Sequence, residues 1–230
     1  MKIIGILQAR DGSTRLPKKA TTDINGKVLI HHVWDRLKAA ERLDEVIVST
    51  SINSPEIIGW CKTYDIPYHA GPEDDLLTRH IGAAEKCKAD AIMWITADCL
   101  WHDPFLLDTM ILVWKEGILS KMDAGALWVS NRVGRRDISE GLDAEIYLTS
   151  LLKTLAADPD CPRESFSLYL AENWKKYPCW RQGGSGKGRH LHLSIDTPED
   201  LTLARKMMEI VGNDDYRYDR TLEAYAEVTA

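Results

Sequence analysis

The run Lys2-Ile3-Ile4-Gly5-Ile6 leads into Leu7-Gln8-Ala9-Arg10-Asp11-Gly12-Ser13-Thr14-Arg15-Leu16-Pro17-Lys18-Lys19. After Lys2 the first part is free of polar side chains, as expected of a strand buried on both faces. The second part interleaves Gly, Ser and Thr with two arginines and two lysines inside ten positions. A small-residue loop leaving a buried strand lets backbone N–H groups approach an anion, and these cations can offset most of the charge on a triphosphate.

Short apolar runs and helical patterns alternate onward from that loop. Residues 29–40 have helical periodicity through Leu29, Ile30, Val33 and Leu37, and Val46-Ile47-Val48-Ser49 reads as a second strand. Ser54-Pro55-Glu56 is a helix start, with Ser54 as N-cap and Pro55 in the first position. Ile66-Pro67-Tyr68-His69 is a short strand, 75–87 a helix, and Ala91-Ile92-Met93-Trp94-Ile95 a further strand. Asp103-Pro104 then opens another helix. Strands separated by helices of this length imply parallel pairing.

After about residue 121 the rhythm changes. Residues 124–130 are strand-like, 131–141 are polar and turn-rich, and 149–157 and 163–174 look helical. Gly183-Gly184-Ser185-Gly186-Lys187-Gly188 lacks the spacing of a P-loop. It is expected to close a hairpin between strands near Trp180 and 190–194. The chain is thus one domain over 1–230, with an inserted lobe at about 125–190. Thr197-Pro198-Glu199-Asp200 caps a helix with acids in its first turn, and 219–228 forms a last surface helix.

Composition narrows the function. The net charge of −6 argues against a broad nucleic-acid or anionic-membrane surface, while a local cationic pocket suits a small anion. The five cysteines are odd in number and scattered, which reads as reduced thiols in a cytoplasmic protein. No signal peptide or membrane-spanning stretch is visible in the sequence.

Two acids share one structural address. Asp98 follows Trp94-Ile95-Thr96-Ala97, and Asp196 follows Leu193-Ser194-Ile195, each at the expected carboxyl end of a strand, where open α/β sheets bind ligands. Taken singly, Asp98 reads as a turn residue and Asp196 as an acid ahead of a helix cap. Together with the cationic loop they can hold one Mg²⁺, which prefers oxygen ligands and keeps positions for water and phosphate.

These motifs resemble those of cytidylyltransferases that activate acidic sugars: the CMP-Kdo and CMP-acylneuraminate synthetases, and more closely the spore-coat polysaccharide type. Gln8, Ala9, Arg10, Ser13, Arg15, Leu16, Pro17 and Lys19 match the family's opening pattern, with Lys18 where a Gly is usual. Thr96-Ala97-Asp98-Cys99 with Asp103-Pro104 resembles the family's first metal motif, and Ser194-Ile195-Asp196-Thr197-Pro198-Glu199-Asp200 its second. Gly141-Leu142-Asp143-Ala144-Glu145 resembles the family's G-L-D-x-E near the sugar pocket, Asn131 a family Ser-Asn, and Arg163-Glu164 part of E-R-E-H, whose His is missing here.

The resemblance implies a three-layer α/β/α, nucleotide-diphospho-sugar-transferase-like fold with a mostly parallel sheet. It implies Mg²⁺-dependent transfer of CMP from CTP to a small acidic acceptor in a homodimer. Arg15, Lys19 and Asp98 would be catalytic. Leu7, Gln8, Ala9, Arg10, Ser13, Lys18, Thr50, Ser51 and Arg79 would join Arg15 and Lys19 around the nucleotide. Asp98 and Asp196 would hold the metal, and Asn131, Asp143, Glu145, Arg163 and Glu164 the acceptor. Two alternatives stay open: the same chemistry on a phosphonate or other small acid, and a relative that binds a nucleotide without turning it over.

Overall fold

The computed structural model describes residues 1–12, 15–120, 126–134 and 136–230. The first half runs β1 (Ile3–Gln8), a short 3₁₀ turn (Lys19–Thr21), β2 (Asp23–Ile24), β3 (Lys27–Val28), α1 (Leu29–Lys38), β4 (Glu45–Ser51), α2 (Pro55–Thr63), β5 (Tyr68–Gly71), α3 (Leu76–Lys86), β6 (Ala91–Thr96) and α4 (Pro104–Ser120). The second runs β7 (Trp128–Ser130), β8 (Glu145–Leu148), α5 (Thr149–Ala157), α6 (Phe166–Glu172), β9 (Cys179–Arg181), α7 (Pro198–Val211) and α8 (Tyr218–Thr229).

Among the described residues, seven strands form one sheet in the order β5-β4-β1-β6-β8-β7-β9. The β5-β4-β1-β6 portion is wholly parallel, β8 is antiparallel to both β6 and β7, and β9 is parallel to β7. Residues 126–190 therefore add their strands to the β6 side of the same sheet. β1 lies inside, and its apolar run is explained by burial on both faces. Ile3 and Leu7 pack in the cluster that includes α1, α2, α4, α7 and α8, while Ile4 and Ile6 pack in the one that includes α3, α5 and α6. That alternation is the two-residue period of a strand, and it yields the helix–sheet–helix layering that the family resemblance implies.

The chain leaves β1 toward β4 and β5, then returns across the sheet to β6 on β1's other side. The reversal opens a crevice at the carboxyl ends of β1 and β6, where ligands of such sheets sit.

One expected element is different. No hairpin joins β9 to 190–194: β9 pairs with β7, and the later stretch makes a single parallel bridge, Glu140 to His192. The glycine turn docks elsewhere, with Gly186 N donating to Asp137 O at 3.1 Å. Asp196 consequently ends an extended segment rather than a ladder strand, and Ile195 N donates to Asp98 O at 3.0 Å to bring it beside β6.

Gly141 makes that approach possible. It sits at φ +94°, and a Cβ there would lie 2.4 Å from Ser194 N and 2.6 Å from Leu193 C. Both clashes are with backbone, so no rotamer relieves them. Gly141→Ala is expected to lower the unfolding free energy by roughly 2–5 kcal/mol, from positive-φ strain plus overpacking. Urea unfolding with an unchanged midpoint would show that the 193–196 segment is not held this tightly.

Candidate active site

The loop after β1 crosses the carboxyl end of the sheet and is pinned on its far side. Asp11 Oδ2 accepts from Glu56 N at 2.9 Å, while Asp11 N donates to Ser54 Oγ at 3.1 Å. Ser54 holds the N-cap position of α2 as predicted, yet Asp11 supplies the carboxylate that satisfies its first turn. At the loop's end Lys18 adopts φ 59° and ψ 22°. This left-handed geometry suits glycine, so the turn is kept despite the lysine.

Lys19, the next residue, turns inward. Its ammonium donates to Asp98 Oδ2 at 2.7 Å and to Asp196 Oδ1 at 3.0 Å. Arg15 Nη2 donates to the same Asp196 oxygen at 2.9 Å. Thr96 Oγ1 donates to Asp98 Oδ1 at 2.5 Å, fixing the carboxylate's other edge. Asp196 is steadied from behind by the capping box of α7: Asp200 Oδ2 accepts from Asp196 N at 3.0 Å and Thr197 N at 2.8 Å. Two acids 98 positions apart in the chain thus meet at one cation position.

The electrostatics of this cluster are balanced against burial. Burial alone would lower the pKa of Lys19, but Asp98 and Asp196 more than offset it and hold the value above normal. Burial would raise Asp196, but the hydrogen bond and charge of Lys19, with Arg15 behind them, bring it below normal. The cluster surrounds a cleft of about 260 Å³, with Gln8, Ala9, Arg10, Gly12, Arg15 and Lys19 on one side and Thr96, Ala97, Asp98 and Asp196 on the other.

The donor set fits Mg²⁺ on the structure's own terms. The lysine ammonium already marks a point at which both carboxylates hold a cation. Among the described residues no group of three or more His, Cys, Asp or Glu side chains is arranged to hold a metal. Two hard oxygen donors with the remaining positions left to water and phosphate is the coordination this ion favours.

Other sequence-predicted nucleotide residues are placed variously. Ser13 lies outside the described residues. Leu7 is buried in the core. Gln8 Oε1 accepts from Trp94 Nε1 at 2.6 Å. Arg10 lines the cleft and stands 3.7 Å from both Glu73 and Glu164. Lys18 points away and pairs with Glu56 on α2 at 2.7 Å. Thr50 and Ser51 are fully buried beneath the surface; Ser51 Oγ accepts from Asn53 N at 3.0 Å. Arg79 is also buried, donating to the carbonyls of Pro72 and Glu73, so it shapes the segment that presents Glu73 to Arg10.

A second cleft of about 150 Å³ opens beside the first and shares Thr96 with it; Trp94, Arg132, Asp143 and Glu145 complete its lining. Asp143 is gripped by Arg136 through both oxygens, at 2.6 and 3.3 Å. Asn131 does not line it. Its side chain donates to Leu142 O at 2.8 Å and accepts from Ala144 N at 3.0 Å, bracing the residues on either side of Asp143. Arg163 instead closes the end of α5 by donating to Ala156 O at 2.8 Å. Glu164 Oε1 accepts from Leu76 N at 2.9 Å at the start of α3. Sequence reasoning passed over Trp94, Thr96, Arg132 and Arg136 as site residues. Thr96 was findable, since it stands two residues before Asp98 on the same strand end; the arginines lie in a turn-rich stretch without periodicity.

Comparison with known proteins bears on family and fold. The family described as cytidylyltransferase matches residues 4–173. The spore coat polysaccharide biosynthesis protein SpsF of Bacillus subtilis is 31% identical over 221 residues, covering 91% of this chain and 88% of that protein. A 3-deoxy-manno-octulosonate cytidylyltransferase of Geobacter sulfurreducens is 46% identical over 50 residues, 22% of this chain and 20% of its own length. The solved structure of a cytidylyltransferase from Leptospira borgpetersenii serovar Hardjo-bovis superposes with a TM-score of 0.90 at 25% identity, over 100% of this chain and 95% of that one.

Proposed function

The chain belongs to the cytidylyltransferase family, and from that membership we propose that it transfers CMP from CTP to a hydroxyl of an acidic sugar, of the 2-keto-3-deoxy or nonulosonic type, in a Mg²⁺-dependent reaction. The observation that carries the proposal is the meeting of Lys19, Asp98 and Asp196 in a cleft also lined by Arg10 and Arg15. Arg10, Arg15 and Lys19 would exchange their carboxylate partners for phosphate oxygens of the incoming nucleotide. Asp98 and Asp196, released from those cations, would hold Mg²⁺, which would supply charge stabilisation for the phosphates and would make an attacking hydroxyl more acidic.

The acceptor hydroxyl releases its proton to water as its oxygen bonds the α-phosphorus in line and the bond to pyrophosphate breaks, with no covalent link to the protein. Rate comes from positioning and fixed electrostatics. Thr96 sits where the two clefts join, so an acceptor in the second cleft meets the nucleotide beside Asp98. The homodimer implied by family resemblance is proposed with it, and light scattering would report its mass.

The test is a matrix of CTP, UTP, ATP and GTP against Kdo, N-acetylneuraminic acid and a small phosphonate, with products identified by mass spectrometry. CMP-sugar formed only with CTP, a divalent ion and a sugar acid is the expected result. Transfer to the phosphonate alone, or no pyrophosphate with any pair, would overturn the acceptor assignment.

A further inference from the structure

The strand register places Ile6, Trp94, Glu145 and Ser130 in one row across β1, β6, β8 and β7. Within that row the Trp94 indole is fixed on several sides. Its Nε1 donates to Gln8 Oε1 at 2.6 Å, and its ring stacks on Phe166 with centroids 5.6 Å apart and planes at 29°. His80 meets it edge-on at 5.4 Å and Tyr147 lies at 6.4 Å. The indole is only partly buried, and it lines the second cleft. A flat aromatic surface held in place loses little entropy on contact and suits the apolar C–H face of a sugar ring.

Arg132 stands in the same cleft. Its Nε lies 3.2 Å from Glu145 Oε1, and its Nη2 donates to Ser167 Oγ. Among the described residues nothing bonds its Nη1. Glu145 has no capacity left for a ligand: it is 2% exposed and takes Ser130 and Arg132 on one oxygen and Tyr147 and Ser167 on the other. Glu145 therefore positions Arg132 rather than touching the acceptor. A guanidinium so braced presents donors suited to a carboxylate.

We infer that Trp94 and Arg132 together select the acceptor, the indole carrying the apolar face of a sugar ring and the guanidinium carrying its carboxylate. The inference rests on the acid-sugar reading above and adds to it the residues that enforce it. Asp143, held by Arg136, keeps lone pairs for a ring hydroxyl. Recognition by stacking plus a charge-assisted pair rejects an acceptor lacking either feature.

The experiment measures KM and kcat for Kdo and N-acetylneuraminic acid, and for their carboxamides, in the wild type and in Trp94→Leu, Trp94→Phe, Arg132→Met and Glu145→Gln. Trp94→Leu keeps apolar volume but removes the platform, and is expected to raise the KM for the acid acceptor by about 10- to 100-fold, the scale of a lost stacking contact and its geometry, with a much smaller rise in the KM for CTP because Gln8 loses its indole partner. Trp94→Phe, which keeps a ring, loses less. Arg132→Met brings the acid-to-amide preference to about one, and Glu145→Gln moves the same ratio part of the way. Unchanged acceptor KM and unchanged preference in these variants would overturn the inference while the acid-sugar reading stands. A wild type that ignores both acids and uses a neutral acceptor would overturn that reading and the inference with it.

Discussion

Asparagine at position 98 is expected to reduce pyrophosphate release from CTP about a thousandfold, the scale on which loss of one preorganised electrostatic group acts. The side chain keeps its shape but loses its charge. Thr96 Oγ1 can still donate to one edge at the 2.5 Å position, while the other edge no longer offers a carboxylate to the ammonium of Lys19 or to a divalent ion. If Arg10, Arg15 and Lys19 take the phosphates as proposed, binding of CTP without a divalent ion should stay within about threefold, since the variant deletes none of these cations. The Asp98 side chain is part-buried, at 26% exposed, but Lys19 keeps Asp196 as its partner, so the fold should lose about 1–3 kcal/mol, the scale of one hydrogen bond to a charged group. Calorimetry in EDTA, thermal unfolding and a pyrophosphate assay separate these effects. Wild-type turnover in the variant would remove Asp98 from the reaction.

The contrast between what the residues revealed and what they concealed has a physical pattern. β1 was legible because Ile3, Ile4, Ile6 and Leu7 are each wholly buried, leaving no polar face to disguise the strand. Helix α5 begins and ends where the sequence predicts, at Thr149 and Ala157. The start of α7 was legible because Thr197, Pro198 and Asp200 write a complete capping box locally. Features settled by distant partners were not legible. Whether 190–194 pairs with β9 or with Glu140 depends on backbone groups far away in sequence. Arg79 lies on helix α3 and is buried against carbonyls, while Arg132 lies in a turn-rich stretch and lines a cleft, a difference that distant partners settle. Thr50 and Ser51 end a strand near the site, but close packing, not exposure, fixes their place. The motif positions Arg15, Lys19, Asp98 and Asp196 do converge, because the order of strands puts the ends of β1 and β6 side by side.

Methionine at position 19 gives the other large effect, and its sign with pH is distinctive. Losing one charge-assisted contact to phosphate should weaken CTP binding about 10- to 100-fold. Stability changes as well. In the wild type the raised pKa of Lys19 means its contribution is complete below the unfolded value near ~10.4 and is lost as pH rises through the folded value. The lowered pKa of Asp196 means its contribution is complete above ~3.9 and is lost as pH falls through the folded value. Between those limits the cluster adds a constant increment. In Lys19→Met, Asp98 and Asp196 face each other without the shared ammonium, and Arg15 compensates only Asp196. Like-charge repulsion then raises a carboxylate pKa in the folded state, so the folded form binds protons more readily and the deficit shrinks as pH falls toward 5. Urea midpoints at pH 5 and pH 8 read this directly: the variant's loss relative to wild type should be larger at pH 8. Millimolar Mg²⁺ should restore more stability to the variant than to the wild type, because the ion enters a cation position that no lysine contests. A pH-independent deficit unaffected by Mg²⁺ would show that Asp98 and Asp196 move apart once the ammonium is gone, and that they are not a preformed cation site.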